Sequence, residues 1–137
     1  MTNLQNKELN IQKDFNKFDW SSAYNNVDIE LENEILPLSK GTIIKELNGT
    51  LYRNGPGILE RDGQWVHHPF DGDGMITAIR FEAGEASISN KFVRTKGFLE
   101  EKKQNKFIYR GVFGTQKKGG LINNIFDLNF KNIANTH

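Results

Sequence analysis

Short apolar runs separated by glycine turns make up most of the chain beyond its N-terminal quarter. In the run 86–94, Ala86, Ile88 and Phe92 fall on one face of a strand and polar side chains fall on the other. This alternation is typical of a strand half-buried in an antiparallel sheet. The run 75–81 precedes it across a four-residue turn and predicts its hairpin partner. Hairpins in series predict an all-β or mostly β protein.

Two other runs have the composition of strands. The run 50–53 ends at the turn-forming residues 54–57, and the run 107–113 ends at Gly114. Residues 96–106, which precede the second of these runs, are densely charged. We interpret that charged segment as a solvated turn or loop.

One short amphipathic helix is predicted, at residues 121–128. On a helix its apolar residues share one side, and its asparagine and aspartate residues lie away from that side. Residues 1–34 are polar with scattered aromatics, and we expect them to form an arm with a short helix near residues 13–24. Residues 35–137 then form the β-rich body.

The stretch from Trp65 to Phe81 contains the most unusual run of turn residues. Pro69 lacks a backbone donor, and Gly72 and Gly74 permit backbone angles that other residues resist. Asp71 and Asp73 can accept hydrogen bonds from nearby amides. We therefore predict a structural turn of one particular shape.

Calcium binding is the alternative for this turn. Asp71, Asp73 and Glu82 stand at the first, third and twelfth places of a calcium loop. However, Met75 and Ile76 do not suit the places between them, and strands are predicted on both sides. The structural turn is therefore the favoured interpretation.

Composition narrows the class of protein. The chain has 137 residues, 36% of them hydrophobic, which is the size of one ordinary domain. Its 18 basic and 17 acidic residues give a formal charge of +1, so no broad positive field favours nucleic acid. Because there is no cysteine, disulfides and thiolate metal sites are excluded. The first 18 residues contain no continuous apolar run, so we expect neither a signal peptide nor a spanning helix, and a cytoplasmic protein.

Five peptide blocks resemble, in the same order, the N-terminal portion of the carotenoid cleavage oxygenases, the family that includes the retinal pigment epithelial protein. The blocks are 47–57, 68–75, 91–95, 109–114 and 131–136. Within that family the likeness is greatest to the cyanobacterial members that cleave apocarotenoids. The motif residues to which we assign structural roles are Arg53, Asn54, Gly55, Pro56, His68, Pro69, Phe70, Asp71, Gly72, Asp73 and Gly74.

The resemblance implies a seven-bladed β-propeller with a non-haem Fe(II) on its axis, held by four histidines. Such enzymes add O2 across one double bond of a carotenoid or apocarotenoid, including retinal-forming substrates, and release two carbonyl products. By this resemblance the chain is the incomplete N-terminal part of a propeller, and a monomer is expected.

No catalytic or metal-binding residue is expected within these 137 residues. The chain has three histidines, at positions 67, 68 and 137, and the resemblance implies that the family's iron ligands lie beyond residue 137. His67 and His68 are adjacent, so on a strand their rings point to opposite faces and cannot chelate one ion. We interpret His68 as a structural hydrogen-bonding group.

The region 111–128 is the best candidate for a substrate entrance. The resemblance implies an apolar patch that dips into a membrane leaflet at the mouth of the substrate tunnel, and the segment 117–126 would contact the membrane surface through it. Lys117 and Lys118 would face anionic headgroups. Periodicity alone favours packing of the same face onto the protein's own core. The residues assigned to the tunnel and the membrane patch are Phe113, Leu121, Ile122, Ile125 and Phe126.

Two hypotheses from different classes follow. In the first, the chain is the N-terminal fragment of an iron-dependent carotenoid or apocarotenoid oxygenase, peripherally attached to membranes and inactive by itself. In the second, it is a non-catalytic, small β-rich module that binds a membrane surface or another partner.

Overall fold

The computed structural model describes residues 19–116 and Phe130, with side chains from Ser21 onward. Six strands and one α-helix follow one another within that part of the chain. The strands are β1 (Glu34–Ile35), β2 (Gly49–Ile58), β3 (Glu60–Arg61), β4 (Gln64–Trp65), β5 (Asp73–Glu82) and β6 (Glu85–Phe92), and α1 is Lys96–Gln104. Two 3-10 helices, Asp19–Ala23 and Pro69–Asp71, complete the elements.

Four of the strands form one antiparallel sheet in the order β1-β6-β5-β2, and β3 and β4 form a small hairpin beside it. The predicted hairpin is confirmed as β5 and β6, with Met75 opposite Phe92 and Phe81 opposite Ala86. Its turn lies at Ala83 and Gly84, whose φ angles of 52° and 87° suit a tight two-residue connection. The expected mostly β fold with antiparallel sheets is therefore correct.

Strand β2 is longer than the sequence predicted. It passes through residues 54–57, which we interpreted as a turn, and continues to Ile58. The register shifts between Pro56 and Ile58 opposite β5, which marks a bulge at Gly57. In the described sheet β2 is the last strand on its side, and an edge position tolerates a residue with no N–H.

The charged segment 96–106 is a helix, so its interpretation as a solvated loop was wrong. Thr95 caps the helix, since its hydroxyl accepts the Phe98 amide at 3.1 Å. Asn105 ends it in the left-handed conformation with φ 50°. Phe98 and Glu101 are buried, and their spacing of three residues places them on one helix face. The many charged residues of this segment led us to overlook its short buried face.

No strand forms at residues 107–113, contrary to the prediction. The amides of Ile108 and Tyr109 donate to the buried Glu101 carboxylate at 2.9 and 3.0 Å, so two donors that a strand would use bind a side chain instead. Arg110 makes an isolated parallel bridge with Phe130. Glu101 therefore determines the path of the chain after α1.

The N-terminal segment before β1 is attached to the sheet by polar groups. The Val27 amide donates to the Gly57 carbonyl at 2.7 Å. The Asn26 side chain accepts the Leu59 amide at 2.8 Å, and the Asn90 amide donates to the Leu31 carbonyl at 3.1 Å. The division between residues 1–34 and 35–137 stays a prediction.

Within residues 19–116, most of the buried apolar side chains form two small clusters. One is Leu59, Val66 and Phe107 with Trp65 packed against it, and the other is Met75, Phe92 and Phe98 with Val27 and Ile58 packed against it. In residues 19–116, no helix is long and apolar enough to cross a membrane. The predicted helix at 121–128 lies outside the described residues.

Candidate functional site

The unusual turn after β4 begins with a 3-10 helix, Pro69–Asp71. His68 precedes it and accepts the Phe70 amide on Nδ1 at 3.1 Å, while the Gly72 amide donates to the Pro69 carbonyl at 3.1 Å. Proline suits the first position of a helix because that residue needs no N–H donor. Pro69 therefore starts a new element.

Gly72 is needed for space, and neither it nor Gly74 has the unusual backbone angles that we expected. Gly72 has an ordinary φ of −69°, and Gly74 is not among the described glycines with positive φ. A Cβ on Gly72 would lie 2.7 Å from both the Ile58 carbonyl oxygen and Leu59 Cδ2. The turn therefore packs too closely against the end of β2 to admit a side chain.

The Asp71 carboxylate binds a distant loop, and the expected local amides are not its partners. It is 2% exposed. One oxygen, Oδ1, accepts the Phe113 amide at 2.8 Å, and Oδ2 accepts the Thr115 amide at 3.0 Å and the Thr115 hydroxyl at 2.7 Å. A Cβ on Gly111 would collide with this carboxylate. Asp71 therefore joins two segments more than 40 residues apart.

Asp73 forms a buried ion pair with Arg61. Arg61 Nη2 and Asp73 Oδ2 lie 2.6 Å apart, and the two side chains are 5% and 1% exposed. The guanidinium carbon of Arg61 also lies 5.9 Å from the ring centroid of Phe98 and 5.8 Å from that of Phe107. This buried ion pair connects β3, the start of β5 and both apolar clusters.

This arrangement does not favour the calcium alternative. Asp71 and Asp73 point to different protein donors. Across residues 19–116 and Phe130, no group of three or more histidine, aspartate or glutamate side chains is placed to hold a metal ion.

Three rings meet beside this turn, and we call His68, Phe70 and Phe113 the aromatic triad. The centroid distances are 4.8 Å between His68 and Phe70, 5.2 Å between His68 and Phe113, and 5.4 Å between Phe70 and Phe113. Phe70 is 36% exposed and Phe113 is 45% exposed. The triad therefore presents an aromatic surface to solvent.

Phe113 lies in a loop, not at the end of a strand as predicted. We call residues 111–116 the Phe113 loop. The remaining residues assigned to the membrane patch, Leu121, Ile122, Ile125 and Phe126, lie outside the described residues, as do Lys117, Lys118 and His137.

The other motif residues lie on the neighbouring strand, β2, which pairs with β5. Arg53, Asn54, Gly55 and Pro56 lie on β2 and line an open groove of about 420 Å³ with residues of β5 and β6. The two motif blocks meet at the end of β2: Pro56 lies opposite Gly74 in the sheet, and a Cβ on Gly72 would lie 3.1 Å from Pro56 Cβ.

Three important residues were missed by sequence reasoning: Thr115, Arg61 and Glu101. Arg61 had a usable signal, because it precedes Asp62-Gly63, a strong hairpin turn. Both turn residues adopt positive φ, at 50° and 74°. Thr115 and Glu101 had no local signal, since each is defined by partners from another segment.

Two ionisable groups outside the turn have shifted pKa values. The pKa of Glu30 is lowered by the hydrogen bond from the Phe92 amide, and further by Arg94. The pKa of Tyr109 is raised because its hydroxyl donates a hydrogen bond to Glu100. Both groups stabilise connections between the sheet or α1 and a neighbouring segment.

The fold and the turn define a class of protein. Residues 24–137 match the family model of the retinal pigment epithelial membrane protein, and the chain belongs to that family. This confirms the resemblance and extends it, since the match begins well before the first block on which the resemblance was based.

Known relatives agree with this assignment. The chain is 48% identical over 127 residues to the apocarotenoid-15,15'-oxygenase of Synechocystis sp.. The aligned residues cover 92% of this chain and 26% of that protein. It is 37% identical over 93 residues to carotenoid cleavage dioxygenase 7 of Oryza sativa subsp. japonica, covering 64% of this chain and 15% of the relative. The predicted likeness to the cyanobacterial apocarotenoid oxygenase is therefore confirmed.

Solved structures show the same likeness. A cobalt-substituted Synechocystis apocarotenoid oxygenase superposes with a TM-score of 0.79 at 49% identity, covering 88% of this chain and 25% of that one. A chimera of that oxygenase and the retinal pigment epithelial protein gives the same TM-score. The chain thus spans about a quarter of the length of these relatives.

Proposed function

We propose that the protein containing these residues is a non-haem iron(II) oxygenase that cleaves one double bond of a carotenoid or apocarotenoid with O2 and releases two carbonyl products. The observation that carries the proposal is the 48% identity to an apocarotenoid oxygenase over 92% of this chain. In this proposal the described sheet is an early part of a seven-bladed propeller, and the protein is a monomer.

The described residues do not fit an iron site. Asp71 and Asp73 are already bound to protein donors, and no cluster of three metal-binding side chains exists within residues 19–116. The proposal therefore places the iron ligands outside that part of the protein. The iron, when bound, supplies the chemistry of O2, and these 137 residues by themselves are inactive.

The described part contributes the entrance for the substrate. The aromatic triad offers a partly exposed apolar surface, and Val112 beside it is 61% exposed. A conjugated polyene matches such a surface, since aromatic faces pack well against flat apolar molecules. We place Phe113 at the mouth of the substrate tunnel.

The segment 117–126 is proposed to rest on a membrane surface next to this entrance. Its lysines and apolar residues suit an interface with anionic lipid. A lipid-dissolved substrate would then reach Phe113 without crossing water. The protein would be cytoplasmic and peripherally attached.

The relatives differ in the substrates that their names give, so their degree of similarity to this chain can be compared. Other relatives include a resveratrol cleavage oxygenase of Aspergillus fumigatus, 37% identical over 81 residues, and an isoeugenol monooxygenase of Pseudomonas nitroreducens, 38% identical over 69 residues. Both similarities are lower and shorter than that to the apocarotenoid oxygenase, so the long polyene is the favoured substrate class.

The test uses the product of the complete reading frame, loaded with Fe(II). It is incubated in air with an apocarotenal, resveratrol or isoeugenol, and products are separated by chromatography and identified by mass. We expect two carbonyl fragments from the apocarotenal, and none under argon or without iron. A folded, iron-loaded protein that cleaves none of the three would contradict the proposal and favour a non-catalytic binding module.

A further inference from the structure

In the described part of the chain, a small set of polar side chains attaches the Phe113 loop to the turn at residues 67–71 and to Gln64. Within the loop, the Gly111 amide donates to the Thr115 carbonyl at 2.9 Å and closes it. Outside it, Gln64 Nε2 donates to the Gln116 carbonyl at 2.8 Å. Further hydrogen bonds to this loop run through Asp71, the Thr115 hydroxyl and the His67 ring, whose Nδ1 lies 3.4 Å from the Phe113 carbonyl oxygen.

Asp71 and Thr115 form a compact clamp. The Thr115 hydroxyl donates to Asp71 and accepts the His67 amide at 2.7 Å. Both side chains are almost fully buried, at 2% and 4% exposure. Hydrogen bonds to a buried carboxylate are among the strongest that a protein makes. The Asp71 carboxylate therefore holds both Phe113 and Thr115 of the loop.

Phe70 of the same 3-10 helix and His68, which precedes that helix, supply the rings that contact Phe113. Phe70 precedes Asp71, and its ring contacts the Phe113 ring edge-on at an interplanar angle of 75°. The Asp71 carboxylate holds the Phe113 backbone while Phe70 and His68 contact its side chain. Three residues of one short turn therefore position the backbone and the ring of Phe113.

We propose that Asp71 is a positioning residue for the substrate entrance, which sets the place of Phe113 over His68 and Phe70 through the Thr115 clamp. The role in uptake rests on the proposed function. Asp71 does not touch the substrate in this proposal. It determines whether the triad forms one continuous surface for a polyene.

The substitution Asp71→Asn gives a specific test because it conserves shape. All three groups that point at the carboxylate are donors. If the amide oxygen keeps the two bonds from Thr115, its NH2 group must face the Phe113 N–H, and two donors repel. We expect amide exchange at Phe113 to accelerate about 10- to 100-fold, as for the loss of one hydrogen bond to a charged group, and less at Thr115.

Thr115 provides a second, independent pair of variants. Thr115→Val removes the hydroxyl at similar volume, and Thr115→Ser retains it. We expect the valine variant to expose the loop amides to exchange and the serine variant to restore protection. The control is Glu82→Gln, the same carboxylate-to-amide change at a side chain that is 63% exposed and far from the loop.

Exchange is measured by hydrogen–deuterium exchange, and cleavage kinetics by product formation, in the product of the complete reading frame. For Asp71→Asn and Thr115→Val we expect KM for the apocarotenal to rise about 5- to 20-fold with kcat within about two-fold, since the entrance contributes binding and not chemistry. Unchanged exchange at Phe113 in both variants would overturn the clamp. If the loop amides exchange faster but KM is unchanged, the role of Asp71 in substrate uptake is wrong. Cleavage by the wild type would still support the proposed function. A wild type without cleavage would refute the proposed function alone, and exchange would still decide the clamp.

Discussion

The buried ion pair between Arg61 and Asp73 gives the strongest stability prediction. The two charged atoms lie 2.6 Å apart, and both side chains are at least 95% buried. Removing either partner leaves the other charge in a low-dielectric interior without this ion pair. The substitutions are Asp73→Asn, Arg61→Met and both together.

The expected cost of each single change is about 3–5 kcal/mol, the usual range for breaking a buried pair from one side. Arg61→Met also loses two contacts between the guanidinium and the rings of Phe98 and Phe107, worth about 0.5–1 kcal/mol each. A folded protein typically has about 5–15 kcal/mol in total. The single variants should therefore be close to unfolding at 37 °C.

The double variant should lose much less than the sum of the two single changes, because it leaves no unpaired charge. Urea unfolding followed by tryptophan fluorescence measures all three, since Trp65 packs against the first apolar cluster. The matched control is Glu82→Gln, which breaks an ion pair to Arg80 of 2.9 Å between side chains that are 57% and 63% exposed. That exposed pair should contribute no more than about 1 kcal/mol.

Two results would refute this reasoning. If Asp73→Asn lowers the free energy of unfolding no more than Glu82→Gln does, the buried ion pair stabilises the protein no more than the exposed one. If the double variant costs the sum of the two single changes, Arg61 and Asp73 act independently and the ion pair is not what stabilises β3 against β5.

Three further predictions concern groups around α1 and the N-terminal segment. Thr95→Ala should destabilise the protein by about 0.5–2 kcal/mol through loss of the helix cap, measured by thermal unfolding. The hydrogen bond from the Phe92 N–H, and to a smaller extent Arg94, lowers the pKa of Glu30 from its ordinary value of 4.5. The contribution of Glu30 to stability is therefore present above pH 4.5 and is lost as pH falls through the lowered pKa. Glu30→Gln should therefore flatten the acid side of the stability curve. Tyr109, held by Glu100, should ionise above pH 10.0, followed by absorbance at 295 nm.

Each has a control. Thr95→Ser keeps the capping hydroxyl and should retain wild-type stability, so equal losses in both variants would exclude the cap as the cause. An acid limb unchanged by Glu30→Gln would show that other carboxylates dominate it. Glu100→Gln should bring the titration of Tyr109 back toward its ordinary range, and no change would mean that the hydroxyl has another partner.

Local patterns determined the parts of the fold that depend on neighbouring residues. The alternation at Ala86, Ile88 and Phe92 predicted β6, and Ala83-Gly84 predicted its turn, because period-two burial and positive φ are properties of a few adjacent residues. The peptide blocks in order were enough for the family, which residues 24–137 confirm.

The tertiary structure decided the rest. The segment at α1 looked like a solvated loop. Phe98 packs against Met75 and Phe92, and Glu101 is buried against the chain that follows the helix, and this burial makes the segment an amphipathic helix. The carboxylates of Asp71 and Asp73 were expected to bind nearby amides, and the structure adds distant partners: Asp71 binds Thr115, 44 positions away, and Asp73 pairs with Arg61. A buried carboxylate binds whichever donors the fold brings to it, and sequence spacing contains no record of that choice.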